Sequence, residues 1–341
     1  MKITLQNIFL AFMLLGIAKG TQAQTFPNFG GQRAGLSTLS FLKNDVNPRS
    51  MAMGGASVAL SGDGFSSLTN PAGLMDLKGL NFSASNMFLG AGLKQAFLAG
   101  NYVTKRNSVF ALSVNNLFSG PMEVRTEFQP NGTGEYFYAN NLAVGATYAK
   151  KLSDMFSMGI TLKYINERLA DYKNHTAAAD LGFLYKTDFK DLKFAVAVQN
   201  FGGNSSLNGD FLPVTFNRDK SNIPLGEYTV PTIFKMGLSI VPYKKDNHAI
   251  LASVELDHPN DNAENYRIGA EYQFKELLTV RAGYQFNVAG MKLPTFGFGL
   301  RARTGAHYIN ISYAARPTQY MGMQHLLGLS FNLTKTSSEN E

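Results

Sequence analysis

Phe156-Ser157-Met158-Gly159-Ile160-Thr161-Leu162-Lys163-Tyr164 alternates apolar and polar side chains without a break. Successive side chains of a strand point to opposite faces. Phe156, Met158, Ile160, Leu162 and Tyr164 therefore share one face, and Ser157, Gly159, Thr161 and Lys163 the other. The same two-residue period returns at Tyr266 to Phe274, Thr279 to Phe286, Phe296 to Arg301 and Leu327 to Asn332. A soluble β-sandwich would also alternate, so strand length has to separate the two. Soluble strands run about 5–6 residues, whereas strands crossing a bilayer at a tilt run about 9–11. These are the long kind. Aromatics also gather near segment ends (Phe88, Tyr102, Phe118, Tyr148, Tyr185, Phe274, Tyr313), where interfacial girdles need them.

Working outward from 156–164, the chain divides into fourteen such segments: 80–89, 94–104, 107–118, 139–150, 155–168, 176–187, 191–201, 229–242, 247–258, 263–274, 277–288, 294–304, 305–315 and 322–333. Connections after even segments are short, as at Lys105-Arg106 and Lys275-Glu276, whereas the two long ones, Ser119 to Ala139 and Gly202 to Tyr228, follow odd segments. Short periplasmic turns opposite long extracellular loops, with an even strand number, is the pattern of outer-membrane barrels. An unpaired strand edge in hydrocarbon is costly, so the sheet must close. The fold class predicted is all-β, a transmembrane antiparallel β-barrel of about fourteen strands with a small N-terminal hatch.

The register places Lys163, Asp180, Lys235, Glu255, Arg267, Glu271, Arg281 and Arg301 inside the barrel. An Arg or Lys facing lipid at mid-membrane would cost about 2–4 kcal/mol, which favours this parity. Mixed signs inside point to a salt-bridged, partly plugged lumen more than to an ion-selective channel.

Composition narrows the function classes. The 341 residues include no Cys and no Trp, with 26 Phe, 15 Tyr, 33 Gly and a formal charge of +7. Without Cys there are neither disulfides nor thiolate sites. The five His (His175, His248, His258, His307, His325) are scattered, so no metal site or cofactor is expected. No apolar stretch of 18 residues follows the leader, and mean hydropathy is −0.10, which excludes a helical membrane protein. No basic cluster has a nucleic-acid footprint; the positive charge suits outer-membrane lipid and lipopolysaccharide. No G-x-S-x-G elbow or His-centred constellation appears, so catalytic residues are expected to be none and the chain not to be an enzyme.

Residues 1–23 read as a secretory signal peptide: Lys2, an apolar run from Ile8 to Ile17, and small residues before a cut after Ala23. The run is too short for a spanning anchor. Residues 24–79 break the barrel period and are rich in glycine, which suits a compact hatch folded into, or under, the barrel mouth; residues 80–333 are expected to form the barrel and 334–341 a periplasmic tail. Gly54-Gly55 and Gly62-Asp63-Gly64 lack phosphate-loop spacing.

The runs Ala34 to Lys43, Asn47-Pro48-Arg49-Ser50-Met51-Ala52-Met53-Gly54-Gly55-Ala56 and Asn70-Pro71-Ala72-Gly73-Leu74 resemble the PorV/PorQ family of Bacteroidota. Arg49, Gly54, Gly55, Asn70, Pro71, Ala72 and Gly73 carry the hatch motif; Ser61-Gly62-Asp63 departs from the usual acidic pair, and Thr69 stands where Trp is common. The resemblance implies a FadL-like barrel with a hatch, serving the type IX secretion system. PorV-like members bind the C-terminal signal domain of exported cargo and PorQ-like members join the attachment complex. Which subgroup this chain follows stays open.

Two functions compete. One is a secretion component that holds protein partners, either other secretion-system subunits or cargo C-terminal domains, through Phe128, Tyr136, Phe137, Tyr138, Phe211 and Phe216 on its long loops. The other is a FadL-type transporter of hydrophobic small molecules, which requires an apolar lumen and a lateral break, with Pro231 and Pro294 as candidate interruptions.

Overall fold

The computed structural model describes residues 35–104, 106–209, 214–216, 219–221, 226–304 and 307–333. The leader read at 1–23 and the tail read at 334–341 lie outside them.

Fourteen antiparallel strands close into one barrel. They are β1 Leu80–Gly90, β2 Leu93–Val103, β3 Ser108–Phe118, β4 Ala139–Lys151, β5 Phe156–Leu169, β6 Tyr172–Lys186 and β7 Lys193–Gly202. The circuit continues through β8 Ile233–Lys245, β9 His248–Pro259, β10 Asn265–Phe274, β11 Leu278–Phe286, β12 Thr295–Thr304, β13 His307–Thr318 and β14 Gly322–Leu333. Each strand pairs with its sequence neighbours, and β1 returns to β14 from Leu80↔Leu333 to Phe88↔His325. No edge is left for the hydrocarbon to strip of hydrogen bonds.

The alternation sets the faces as expected. Phe296, Phe298 and Leu300 are 45–47 % exposed on the outer wall, while Thr161, between outward Ile160 and Leu162, is fully buried. The interfacial girdles hold more than Phe and Tyr. Tyr164 with His175, Tyr272 with His248, and Tyr313 with His325 are hydrogen-bonded through Nδ1 at 3.0, 2.7 and 2.7 Å, each pair bridging adjacent strands. An imidazole on a tyrosine hydroxyl gives the amphipathic end group that Trp usually supplies.

Three strands differ from their sequence bounds by three residues or more at an end. β6 begins at Tyr172, not 176; β8 runs 233–245 instead of 229–242, and β13 runs 307–318 instead of 305–315. In the first case a tight turn with Ala170 at φ 53° lets Tyr172 pair directly with Leu169. The β5–β6 hairpin therefore stands higher than its apolar period suggests. Its top carries polar side chains because it has left the lipid. In β8 a bulge between Ile240 and Tyr243, at Pro242, interrupts the period that would have marked its end.

Residues 35–79 thread the lumen from end to end. They enter at the loop end, where Thr38 N donates to Thr229 O at 3.2 Å, and leave at the turn end, where Val103 N donates to Gly79 O at 3.0 Å. Between lie a 3-10 turn (Ser40–Lys43), α1 (Pro48–Ala52), α2 (Ser66–Thr69) and a second 3-10 turn (Pro71–Asp76). Pro48 and Pro71 start their turns with φ already set, and the preceding Asn47 and Asn70 accept from the backbone N–H two residues on.

Candidate functional site

An irregular chain buried in a barrel has to find partners for its own carbonyls. The wall supplies them. Ser85 donates to Val46 O, Gln95 to Phe41 O, Asn101 to Gly64 O, Ser239 to Ala59 O, Gln285 to Gly54 O and Thr295 to Ala52 O, at 2.6–3.2 Å. These polar side chains hold the place that a helix or sheet ladder would fill elsewhere.

Close approach is the second device. Glycines face inward where the plug touches the wall, and a Cβ there would collide with it. At Gly283 it would lie 2.0 Å from Met53 C, at Gly269 2.6 Å from Met53 O, and at Gly297 2.6 Å from Ala52 Cβ. At Gly328 it would meet Pro48 Cγ at 2.3 Å, at Gly159 Pro71 C at 2.6 Å, and at Gly182 Asn70 Oδ1 at 2.0 Å. The fit is reciprocal. Gly54 (φ 68°) and Gly55 (φ 81°) lie in the left-handed region, and a Cβ on Gly54 would come within 2.6 Å of Tyr284 N. The hatch motif is thus the mould of the wall: Asn70 is fully buried, donating to Val58 O (2.9 Å) and Phe183 O (3.2 Å), and Gly73 packs on Leu60 O.

Charge is the third. Arg49 grips Glu271 in a bidentate pair, Nε to Oε2 at 2.8 Å and Nη2 to Oε1 at 2.7 Å, and Arg281 Nε donates to Glu271 Oε2 at 2.6 Å. Lys163 meets Asp180 at 2.6 Å. Lys235 meets Glu255 at 3.2 Å, and Arg267 meets Asp257 at 2.6 Å. The other Glu255 oxygen accepts from the backbone N–H groups of Ser57 and Val58, both at 2.6 Å. Seven of the eight lumen residues read from sequence thus fall into three buried clusters. Arg301 stands apart at the turn-end mouth, exposed and bonded to Asn310 at 2.9 Å. The reading missed Lys43 (to Asp261, 2.6 Å), Asp76 (to Lys193, 3.3 Å) and Asp257. Asp257 shares parity with Glu255 and was within reach; Lys43 and Asp76 lie where no period exists. It also missed an apolar lumen patch of Met87, Phe97 and Leu326 against Phe65, with Phe65 and Phe97 rings 5.7 Å apart.

Burial alone would raise the Asp76 carboxyl, but the Lys193 ammonium and the Ser61 hydroxyl hold it below the ordinary carboxylate range. A lowered folded pKa contributes stability above about pH 4 that is lost as the pH falls through the lowered value. Protection of residues 61–77 against hydrogen exchange, relative to the intrinsic rate at each pH, should therefore fall on acidification in the parent protein. Asp76→Asn should show the lower, acid-like protection throughout, with that part of the pH dependence gone.

Two cavities stand out among the described residues. One of about 210 Å³ lies toward the loop end among Asp45, Ser67, Lys163, Lys235, Asp257 and Arg267. The other, about 480 Å³, opens between plug and wall beside Arg49, Asp63, Glu271, Arg281 and Arg301. The larger is lined mainly by polar groups; the smaller also exposes Leu42, Val46, Phe97 and Ile233 beside its charges.

Outside the lumen, Phe128 is 94 % exposed on the loop after β3, and Tyr136 is also exposed. That loop is held by a short ladder of Met122–Glu123 with Tyr136–Phe137. Phe137 is half-buried, and Tyr138 stacks on Phe118 at 6.0 Å against the outer wall instead of projecting with Phe128. Phe211 lies outside the described residues, and Phe216 is described only as backbone, in a hairpin of Val214–Phe216 with Asp219–Ser221.

The family model for the type IX secretion system protein PorV matches residues 30–190, which hold the whole hatch motif and the first six strands. No curated protein sequence matches the chain. Among solved structures, the Ralstonia pickettii toluene transporter TbuX is 15 % identical, covering 83 % of this chain and 96 % of its own, with a TM-score of 0.53. The monoaromatic hydrocarbon channel CymD is 16 % identical (84 % and 96 % covered, TM-score 0.55) and the Pseudomonas putida toluene transporter TodX 14 % identical (83 % and 95 %, TM-score 0.52). At such identities they share the FadL-like fold and nothing finer. The motif that moulds the plug to its wall, the closed fourteen-strand barrel and the family match agree: over residues 30–190 this chain is similar to the type IX secretion system protein PorV, on a closed outer-membrane-type barrel.

Proposed function

We propose that this barrel works at its extracellular rim, holding exported cargo or an attachment partner at the cell surface, with its lumen closed. The supporting observation is Phe128, 94 % exposed at the tip of a loop that is itself hydrogen-bonded into a ladder. A large apolar side chain offered on an ordered loop suits a protein interface, where aromatic anchors carry most of the binding energy. The leader read at 1–23 would deliver the chain to the periplasm for insertion, and no step requires a catalytic group or cofactor.

The structural neighbours raise the other reading, a conduit for hydrophobic small molecules. The 210 Å³ cavity could hold one such molecule by size and exposes Leu42, Phe97 and Ile233, yet its wall also presents Lys163, Lys235, Asp257 and Arg267. Placing an apolar ligand there would strip water from charged groups and give no hydrogen bonds in return. The lining favours the rim.

Phe128→Ala combined with Tyr136→Ala should leave the barrel heat-modifiable on gels and cut co-purification of secretion partners from mildly solubilised membranes at least tenfold. Unchanged partner recovery would reject the rim as the binding surface. A drop in recovery that accompanies loss of the folded band would be resolved by Phe128→Tyr, which keeps the ring and should restore binding.

A further inference from the structure

Outside the barrel, one cross-strand row of side chains reads Phe88, Lys94, Phe118, Asn140, Arg168, Lys173, each directly opposite the next. Its last pair sets a guanidinium beside an ammonium, both exposed. Like charges directly opposite on neighbouring strands repel. Neither cation forms an ion pair with a carboxylate of the described residues; Arg168 spends its Nε on Ala170 O at 3.2 Å, which leaves its terminal nitrogens free. The inward neighbour Glu167 is turned away, bonded to Asn174 and Thr38.

Height places the pair. On β5 the outward residues from Phe156 to Tyr164 are apolar or aromatic, then Asn166 and Arg168 follow. Twelve residues separate Phe156 from Arg168, about 40 Å along the strand and about 30 Å along the membrane normal at a tilt near 40°. The apolar band of such barrels is about 25 Å tall. Arg168 and Lys173 therefore emerge just above the hydrocarbon on the loop side, at the level of outer-leaflet headgroups. Just below them sit amide and imidazole groups on the same face: Asn166, bonded to His175 at 2.8 Å, and Asn116, whose Oδ1 has no partner.

We infer that Arg168 and Lys173 form an outer-wall site for the phosphate of a phosphorylated glycolipid of the outer leaflet, with Asn140, Asn166 and His175 facing its sugar. A phosphate between the two cations turns their repulsion into paired charge-assisted hydrogen bonds. The acyl chains then lie along Leu162 and Val144, both exposed on the outer wall below. The site lies outside the lumen and is independent of what the loops bind.

The test uses the full-length protein in phosphatidylcholine nanodiscs, titrated with lipid A, with dephosphorylated lipid A, or with phosphatidylglycerol. Lipid A should raise the unfolding temperature by several degrees, with neither of the other two matching it. Native mass spectrometry of protein from outer membranes should show a retained glycolipid that falls at least tenfold in Arg168→Gln/Lys173→Gln. An equal shift from dephosphorylated lipid A or from phosphatidylglycerol overturns the inference, and these arms need no variant. Undiminished glycolipid retention in the folded double variant overturns it as well. Lys244→Gln/Lys245→Gln, at the opposite end of the barrel, should retain glycolipid as the parent does.

Discussion

Glu271→Ala will keep the barrel closed and release the plug. In the parent protein this carboxylate, its side chain 11 % exposed, is the sole anion in a triad with Arg49 of the plug and Arg281 of β11. Its removal leaves two guanidinium groups facing each other with only the more distant Asp63 as counter-charge. Breaking a buried pair from one side costs about 3–5 kcal/mol. Both arginines line the adjoining 480 Å³ cavity and keep some exposure, so the lower end, about 3 kcal/mol, is the expected cost. That is roughly a hundredfold rise in the population of unseated plug. Hydrogen exchange over residues 47–77 should accelerate by that factor, and planar-bilayer recordings should show long-lived openings absent from the parent. Glu271→Ala/Arg49→Met should lose less than the two single changes summed, because each partner already removes the other's reason to be there. Parent-like exchange in Glu271→Ala would mean that the triad does not hold the plug.

The second large effect comes from one methyl group. Gly283→Ala puts a Cβ 2.0 Å from Met53 C and 2.2 Å from Gly54 N, so plug and wall must part by more than an ångström. Neither side can yield alone: β11 is laddered to β10 and β12, and Gly54 is already bonded to Gln285. Overpacking of this kind costs about 1–3 kcal/mol, and backbone meeting backbone belongs at the top of that range. Gly203→Ala is the matched control. Nothing lies within 4 Å of its Cβ, so exchange of the plug should stay parent-like, within about 0.5 kcal/mol. Equal behaviour of the two substitutions would show that the inward glycines are not the seat.

The barrel was legible because its cause is local. Each strand announces itself by parity, and the charges of one face follow once the greasy face is known; Lys163, Glu255 and Arg281 fell inside for that reason alone. The plug had no such rhythm. Its structure comes from a wall hundreds of residues downstream, as when Glu271 pairs with Arg49 or Asp261 with Lys43, so only the broken period, the glycines and the motif resemblance signalled it. The inward glycines were visible as alternating small residues, yet nothing in a strand distinguishes a glycine that lightens a lumen from one that receives another backbone. Met87, Phe97 and Leu326 were lost for the opposite reason. On β1, Met87, Phe88 and Leu89 are all apolar, so parity could not say which of them faced the plug.

The wall glycines that receive α1 and the turn after it, Gly269, Gly283, Gly297 and Gly328, all lie on β10 to β14, the last strands synthesised. The segment they receive is made before every strand of the barrel, and it has no complete resting place until the C-terminal hairpins arrive. During insertion, closure of the β1–β14 seam and docking of the N-terminal segment thus become a single event. A truncated or misregistered barrel would leave that segment exposed to periplasmic proteases, which gives the cell a built-in inspection of whether biogenesis has been completed.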